Sequence, residues 1–403
     1  MNTKKINVLL LENIHPDAAR IYEDEGIIVR TAAGSFDEEE LCKQIKDVAV
    51  LGIRSKTQVS EKVLDCAEHL LAIGAYCIGT NQIDVEACSK RGVIVFNAPY
   101  SNTRSVVELV LGEIIMLIRG VFDRSAKLHQ GIWDKSASGT FEIRGKKLGI
   151  IGYGNIGAQL SVVAEAVGMK VYYYDLDEKL ALGNARKCDS MENLLAKADI
   201  VTVHVDGRPE NRGLIGADQF GLMKRGSVFL NLSRGFVVDI DALVENIKNG
   251  NIRGAAVDVF PYEPKHNYER FRSVLQQLPN VIITPHIGGS TEEAQQNIAE
   301  FVTGKIIDFV YNGGTALSVN FPNLQLPEIR NAHRLIHLHL NVPGILAKVN
   351  NILAAHSINI VGQYLKTNEH IGYVITDISR EYDNVVMTEI KNIPGTIHFR
   401  ILY

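Results

Sequence analysis

Two periodicities of apolar residues alternate along this chain, and the points where they switch divide it. From residue 6 to 98, short apolar runs lie at Asn7 to Leu11, Ile27 to Thr31, Val48 to Ile53, Leu71 to Ala75 and Val93 to Asn97. Between them the apolar positions fall at helical spacing, as in Asp37 to Ile45 and Ser60 to Glu68. Strand–helix alternation of this kind predicts a parallel, doubly wound sheet. A long helical stretch follows from about Thr103 to His129. A second strand–helix series opens at Lys147, with strands predicted at Leu148 to Ile151, Lys170 to Tyr174, Ile200 to His204, Ser227 to Asn231, Gly254 to Val259 and Val281 to Thr284.

Residues 290 to 312 form a further helix, on which Ala294, Ile298, Phe301, Val302, Ile306 and Phe309 recur. Phe321 to Pro327, with two prolines, reads as a linker. Beyond it the pattern changes to strict alternation. Ile336, Leu338 and Leu340 share one face and His337, His339 and Asn341 the other, which predicts a half-buried strand. After the Pro343-Gly344 turn comes a helical stripe, then strands at Ile358 to Leu365 and Gly372 to Ile378. A helix at Val385 to Ile393 and a strand at Thr396 to Leu402 close the chain. The order βαββαβ is the ferredoxin-like split unit. The expected organisation is a flavodoxin-like substrate-binding domain of residues 1–100 and 290–318. A nucleotide-binding domain of residues 101–289 is inserted in it. A linker (319–329) and an α+β domain (330–403) follow. The cleft between the first two is the natural ligand site.

The first strand of the second series runs into Gly152-Tyr153-Gly154-Asn155-Ile156-Gly157, then a helix, then a strand ending at Asp175. Strand, glycine triplet, helix, strand and terminal acid in that order predict a Rossmann dinucleotide site, and six strands suit a complete one. Gly152 permits the tight turn, Gly154 lets the backbone approach a pyrophosphate at the helix N-terminus, and Gly157 lets the helix pack closely. A carboxylate at Asp175 accepts the ribose hydroxyls and repels a 2′-phosphate, so NAD is expected and not NADP.

Composition narrows the rest. The net charge of −4 on 403 residues offers no basic field to nucleic acid or a membrane surface. Five cysteines with no C-x-x-C pair suit a reducing cytoplasm and argue against a disulfide framework or a thiolate metal site. The apolar run Val8 to Leu11 reads as a first strand and not as a signal peptide.

Three polar segments follow successive strands of the second series: Asn231 to Gly235, Asp258 to Pro264 and Thr284 to Gly289. Ligands of an open parallel sheet bind beyond its carboxyl ends, so Arg234, Glu263 and His286 should converge there. These types suit hydride exchange at a 2-hydroxy acid. The imidazole takes the hydroxyl proton, the carboxylate orients it and raises its pKa, and the guanidinium holds a carboxylate and polarises the C2 oxygen. Taken singly, each residue is better read as a loop histidine, a solvated acid or a surface ion-pair partner; at three successive strand ends after a nucleotide fingerprint, those readings become the poorer account.

The chain resembles the D-isomer-specific 2-hydroxyacid dehydrogenases, in the branch with a C-terminal ACT domain. The resemblance is carried by Gly79-Thr80-Asn81, Phe96-Asn97-Ala98-Pro99, Ser101 to Val106, Arg144 to Ile150, the Arg234, Glu263 and His286 segments, and Ile393-Pro394-Gly395-Thr396. It implies NAD-dependent oxidation of 3-phosphoglycerate to 3-phosphohydroxypyruvate, the first committed step of serine synthesis. It also implies a cytoplasmic homotetramer inhibited by L-serine bound between ACT domains. His286 would be the acid/base, with Glu263 and Arg234 beside it. Cofactor contacts would come from Asn155, Ile156, Asp175, Leu232, Ser233, Arg234, Asp258, His286, Ile287, Gly288 and Gly289. His339, Asn341 and Asn359 match the family's serine-contacting positions.

The substrate phosphate needs cations, for which Arg54, Lys56 and Lys135 are the candidates; a solvated surface lysine is an equal reading of Lys135. Three departures from the family pattern stand out: Lys56 where arginine is common, Asp206 where proline is usual, and Val342 in place of an arginine near the serine site. The competing readings are a glyoxylate or hydroxypyruvate reductase on the same scaffold and an NAD-sensing interaction protein without turnover.

Overall fold

The computed structural model describes residues 6–264, 268–327, 332–379, 382 and 384–402. It divides into two compact units, residues 1–101 with 295–403, and residues 102–294.

In the first unit, β1 (Asn7–Leu10), β2 (Ile28–Thr31), β3 (Val50–Ile53), β4 (Ala72–Ala75) and β5 (Ile94–Asn97) form a parallel sheet ordered β2-β1-β3-β4-β5. That is the flavodoxin order, with its topological switch between β1 and β3. β3 and β4 are buried along their whole length, as continuous apolar runs of a sheet covered on both faces must be. The helices start where the sequence supplies a cap: Asp37, Ser60 and Asp84 each accept a backbone N–H of the following turn.

The second unit holds β6 (Lys147–Ile151), β7 (Lys170–Tyr174), β8 (Arg186–Lys187), β9 (Ile200–Val203), β10 (Ser227–Asn231), β11 (Ile252–Val257) and β12 (Val281–Ile283). The order β12-β11-β10-β9-β6-β7-β8, all parallel, is the Rossmann arrangement extended by one strand. Six strands were expected, and the seventh is β8. Its two exposed residues, Arg186 and Lys187, give no apolar alternation to read. The predicted helix from Thr103 to His129 is two helices, Thr103–Arg119 and Val121–His129. Gly120, at φ +59°, caps the first and turns the chain.

The C-terminal strands β13 (His333–Leu340), β14 (Ile360–Thr367), β15 (Ile371–Ile378) and β16 (Thr396–Leu402) form an antiparallel sheet ordered β14-β15-β13-β16. This is the ferredoxin-like arrangement. β13 is not half-buried as expected: His337 and His339 are 2% and 3% exposed. It is an interior strand with both faces covered. Ile336 and Leu338 join Phe309 and Phe321 in the core of the β1–β5 sheet, and Leu335 faces the helices Ile345–Ala355 and Asn384–Lys391. The segment 319–327 is packed, with Phe321 and Leu324 buried.

Polar bonds seal this joint. The Arg334 guanidinium, 1% exposed, pairs with Asp377 at 2.8 and 3.1 Å and donates to the Asn312 and Pro327 carbonyls. The Tyr373 hydroxyl donates to Gly313 O, and Arg400 lies over the Phe309 ring, 4.2 Å from its centre. Asp377→Ala, which leaves the buried guanidinium unpaired, is expected to cost about 3–5 kcal/mol of stability by denaturant titration. Arg334→Met combined with Asp377→Leu is expected to cost far less. Equal losses would show that the charge pair is not the cause.

Candidate active site

The turn after β6 is built for close approach. Gly152 has φ +91°, and a Cβ there would lie 2.5 Å from the His204 carbonyl oxygen. A Cβ on Gly157 would run into Gly152 O, so only glycine lets the helix Asn155–Ala166 seat against the turn. At Gly154 a Cβ would meet nothing within 4 Å, and the helix has no side-chain N-cap. Its first N–H groups, at Asn155 and Ile156, thus stand at an uncapped, positive helix end beside open space at Gly154, which suits a pyrophosphate.

Asp175, one residue past β7, ties this turn down. One carboxylate oxygen accepts Tyr153 N at 2.7 Å and the other Asp177 N at 2.9 Å. An ionised carboxylate offers about four acceptor positions, so capacity remains for ribose hydroxyls. The Tyr153 ring stacks on Tyr173 with centres 3.8 Å apart, and its hydroxyl bonds Ser161. Sequence reasoning passed over Tyr153, whose only signal is an aromatic residue inside the glycine triplet. At the end of β9, His204 is held by Thr202 Oγ1 at 2.9 Å, and burial pushes its pKa down to about 3, so it is neutral. Asp206, the departure two residues on, forms a two-pronged pair with Arg208 and accepts from Asn211 Nδ2.

The other strand ends bring the predicted acid, base and cation together. Asp258, buried just past β11, accepts the Thr284 hydroxyl at 2.5 Å, Ile287 N at 2.8 Å and Gly288 N at 2.8 Å, while its own carbonyl takes His286 N. Around this knot His286 adopts φ +55°, a conformation uncommon outside glycine. Its Nδ1 then lies 2.8 Å from Glu263 Oε2, and Glu263 Oε1 accepts Phe260 N. The hydrogen bond that His286 donates to Glu263 outweighs burial and raises the His286 pKa; the Glu263 and Asp258 charges add to this and Arg234 opposes it. Burial would raise Glu263, but the bonds from His286 and Phe260 N hold it below the ordinary carboxylate range. Arg234, past β10, acts on both charges and donates to Ser233 O. Ser233 and Leu232 are buried beside it, with the Ser233 hydroxyl on Asn231. An imidazole oriented through Nδ1 keeps Nε2 for proton exchange.

Glu113, on the helix Thr103–Arg119, was not among the candidates; its one signal in the sequence is an acid within the apolar run Val106 to Ile118. It is fully buried, and neither carboxylate oxygen has a partner among the described residues. Burial first, and the Asp258 charge second, push its pKa up to about 8.

The remaining candidates lie elsewhere. Arg54 and Lys56 follow β3 in the first unit, and Lys135 is exposed on a loop of the second. His339 Nδ1 donates to its neighbour's carbonyl, Leu340 O, at 2.7 Å, leaving Nε2 buried without a partner among the described residues. Asn341 donates to Asn368 O, and Asn359 is exposed.

Comparison with known proteins settles the lineage. Residues 111–288 match the model of the D-isomer specific 2-hydroxyacid dehydrogenase NAD binding domain, and residues 335–398 match the AHAS small subunit-like ACT domain. The chain is 47% identical to a D-3-phosphoglycerate dehydrogenase of Haemophilus influenzae, over 100% of this chain and 98% of that one. It is 48% identical to the D-3-phosphoglycerate dehydrogenase of Dictyostelium discoideum, over 99% and 98%. The chain belongs to the D-3-phosphoglycerate dehydrogenases of the D-isomer specific 2-hydroxyacid dehydrogenase family. Among solved structures it resembles the D-lactate dehydrogenase of Aquifex aeolicus complexed with NAD and lactic acid. The TM-score is 0.64 at 25% identity, covering 75% of this chain and 95% of that one. As a family member the chain is an NAD-dependent dehydrogenase. No helix among the described residues is long and apolar enough to cross a membrane.

With His286 read as the acid that returns the proton in the reducing direction, the rate is expected to hold below its pKa and to fall as pH rises through it. Glu263→Gln removes the charged acceptor that raises that pKa, through its hydrogen bond first and its charge second. The fall is therefore expected to begin at lower pH in NADH oxidation assays, and an unmoved limb would break the proposed coupling.

Proposed function

We propose that the chain oxidises 3-phospho-D-glycerate to 3-phosphohydroxypyruvate with NAD, the first committed step of L-serine synthesis. The observation that carries this reading is the His286–Glu263 pair, 2.8 Å apart beyond a Rossmann sheet, in a chain similar end to end to D-3-phosphoglycerate dehydrogenases. NAD, when bound, supplies the hydride acceptor; Gly152, Gly154, Asn155, Ile156, Gly157, Asp175, Leu232, Ser233, Asp258 and Ile287 to Gly289 would hold it. His286 Nε2 takes the C2 hydroxyl proton as hydride leaves C2, and the resulting imidazolium is matched by the Glu263 carboxylate. Arg234 clamps the substrate carboxylate and polarises the C2 oxygen.

Arg54 and Lys56 take the substrate phosphate. Their place just past β3, in a chain similar end to end to D-3-phosphoglycerate dehydrogenases, supports that role. Lys135 is the weaker candidate, exposed like its neighbour Trp133. L-Serine is the effector at the C-terminal domain, held by His339, Asn341 and Asn359. The unpartnered, buried Nε2 of His339 supports this, since with Nδ1 donating it offers an acceptor to an ammonium or hydroxyl group. The chain acts in the cytoplasm as a homotetramer; free thiols and exposed apolar residues such as Phe122, Ile132 and Trp133 suit both.

With NADH, 3-phosphohydroxypyruvate is expected to be reduced far faster than glyoxylate, and Lys56→Ala to erase most of the gap. Comparable wild-type rates on both would remove the phosphate claim and favour a general reductase. Serine is expected to bind in calorimetry and to inhibit, with both effects lost in His339→Ala plus Asn341→Ala. A wild type that binds no serine rejects the regulatory reading.

A further inference from the structure

Beyond the carboxyl ends of β1 and β3, at the topological switch of the first sheet, the chain makes an unusual commitment. Glu12 and Asn13 follow β1 with φ of +63° and +51°, two consecutive non-glycine residues in the left-handed region. Such conformations cost roughly 1–3 kcal/mol each and persist only where something overrides them. What overrides them here is the Glu12 side chain. It is 8% exposed, and its two carboxylate oxygens accept Lys56 N at 3.0 Å and Thr57 N at 2.8 Å. The same segment is fixed from its other end. Gln82, also buried, donates to Arg54 O at 2.6 Å and to Gly79 O at 3.3 Å, tying it to the turn after β4. The charges of Glu12 and Arg54 both act on the Cys77 thiol, so the ends of β1, β3 and β4 meet in one place.

A buried acid is the wrong charge to place beside an anion site unless its charge is already engaged. Two backbone N–H groups engage it here, and they belong to the stretch that carries Arg54 and Lys56. We infer that Glu12 is a positioning residue for the phosphate of the substrate, fixing the Arg54–Thr57 backbone so that both cations meet one anionic group. This rests on the reading that Arg54 and Lys56 take the phosphate. Glu12 itself touches no reacting atom. Its loss acts through the pair it holds, and therefore on phosphorylated substrates alone.

The test compares 3-phosphohydroxypyruvate with hydroxypyruvate, the same carbon skeleton without the phosphate, using the full-length chain and NADH. The quantity read is the ratio of their kcat/KM values. Arg54→Ala and Lys56→Ala test the pocket, and Glu12→Gln and Glu12→Ala test the brace. Glutamine keeps one acceptor oxygen but turns an amide N–H toward the second backbone donor. Its ratio is expected to fall about tenfold, through KM for the phosphorylated substrate, and that of alanine further. Thermal unfolding confirms that each variant is folded; should Glu12→Ala fail, Glu12→Gln still decides. A Glu12→Gln ratio equal to wild type, or equal losses on both substrates, while Lys56→Ala lowers the ratio, overturns this inference and leaves the pocket standing. An unchanged ratio in both cation variants overturns the pocket and this inference with it.

Discussion

The Asp258 carboxylate, buried at the end of β11, gathers the Thr284 hydroxyl and the N–H groups of Ile287 and Gly288 into one knot, and the imidazole stands where that knot puts it. Hydrogen bonds to a charged group are worth about 1.5–3 kcal/mol each. Three of them outweigh the roughly 1–3 kcal/mol that a left-handed non-glycine residue costs. His286 is therefore held at a φ it would not choose, and in that conformation its Nδ1 meets Glu263. With one nitrogen committed, the ring cannot rotate freely, and its tautomer and pKa follow from the same bond. The orientation and reach of His286 depend on the buried Asp258, and its raised pKa on the Glu263 bond that this orientation permits.

Much of this was legible in the residues. The strand–glycine–helix–strand–acid order fixed the cofactor unit, because each glycine and Asp175 answers a steric or electrostatic demand that no common alternative meets. Arg234, Glu263 and His286 were readable because each follows a strand, and a parallel sheet lines up its carboxyl ends. What stayed hidden depends on tertiary placement. Asp258 was expected only as a cofactor contact, yet its oxygens brace the next loop. Two-residue β8 has no periodicity to detect. The alternation in β13 suggested an exposed histidine face, but alternation shows only that two faces differ. It does not show that either is wet, and here helices cover the side that carries His337 and His339.

The same point applies to residues 319–327. Two prolines and a change of pattern indicate a connection, and composition alone cannot say whether its apolar members find a surface. Phe321 and Leu324 do, because the β13–β15 face brings Ile336, Leu338, Tyr373 and Ile375 into the core beneath the first sheet. The C-terminal sheet and the β1–β5 sheet therefore share one interior, sealed by Arg334 and Asp377. Any ligand that strains β13 strains that interior as well.

Glu113 carries a cost that the fold accepts. Its carboxyl is shut away with no partner among the described residues, and its pKa is pushed up to about 8. In the open chain it would ionise in the ordinary carboxylate range. Between that range and about pH 8 the chain must draw one proton from solvent to this position each time it folds, and its stability declines as alkalinity rises across that window. The helix Thr103–Arg119 is thus a proton-requiring element, and assembling it is a protonation event as well as a burial event.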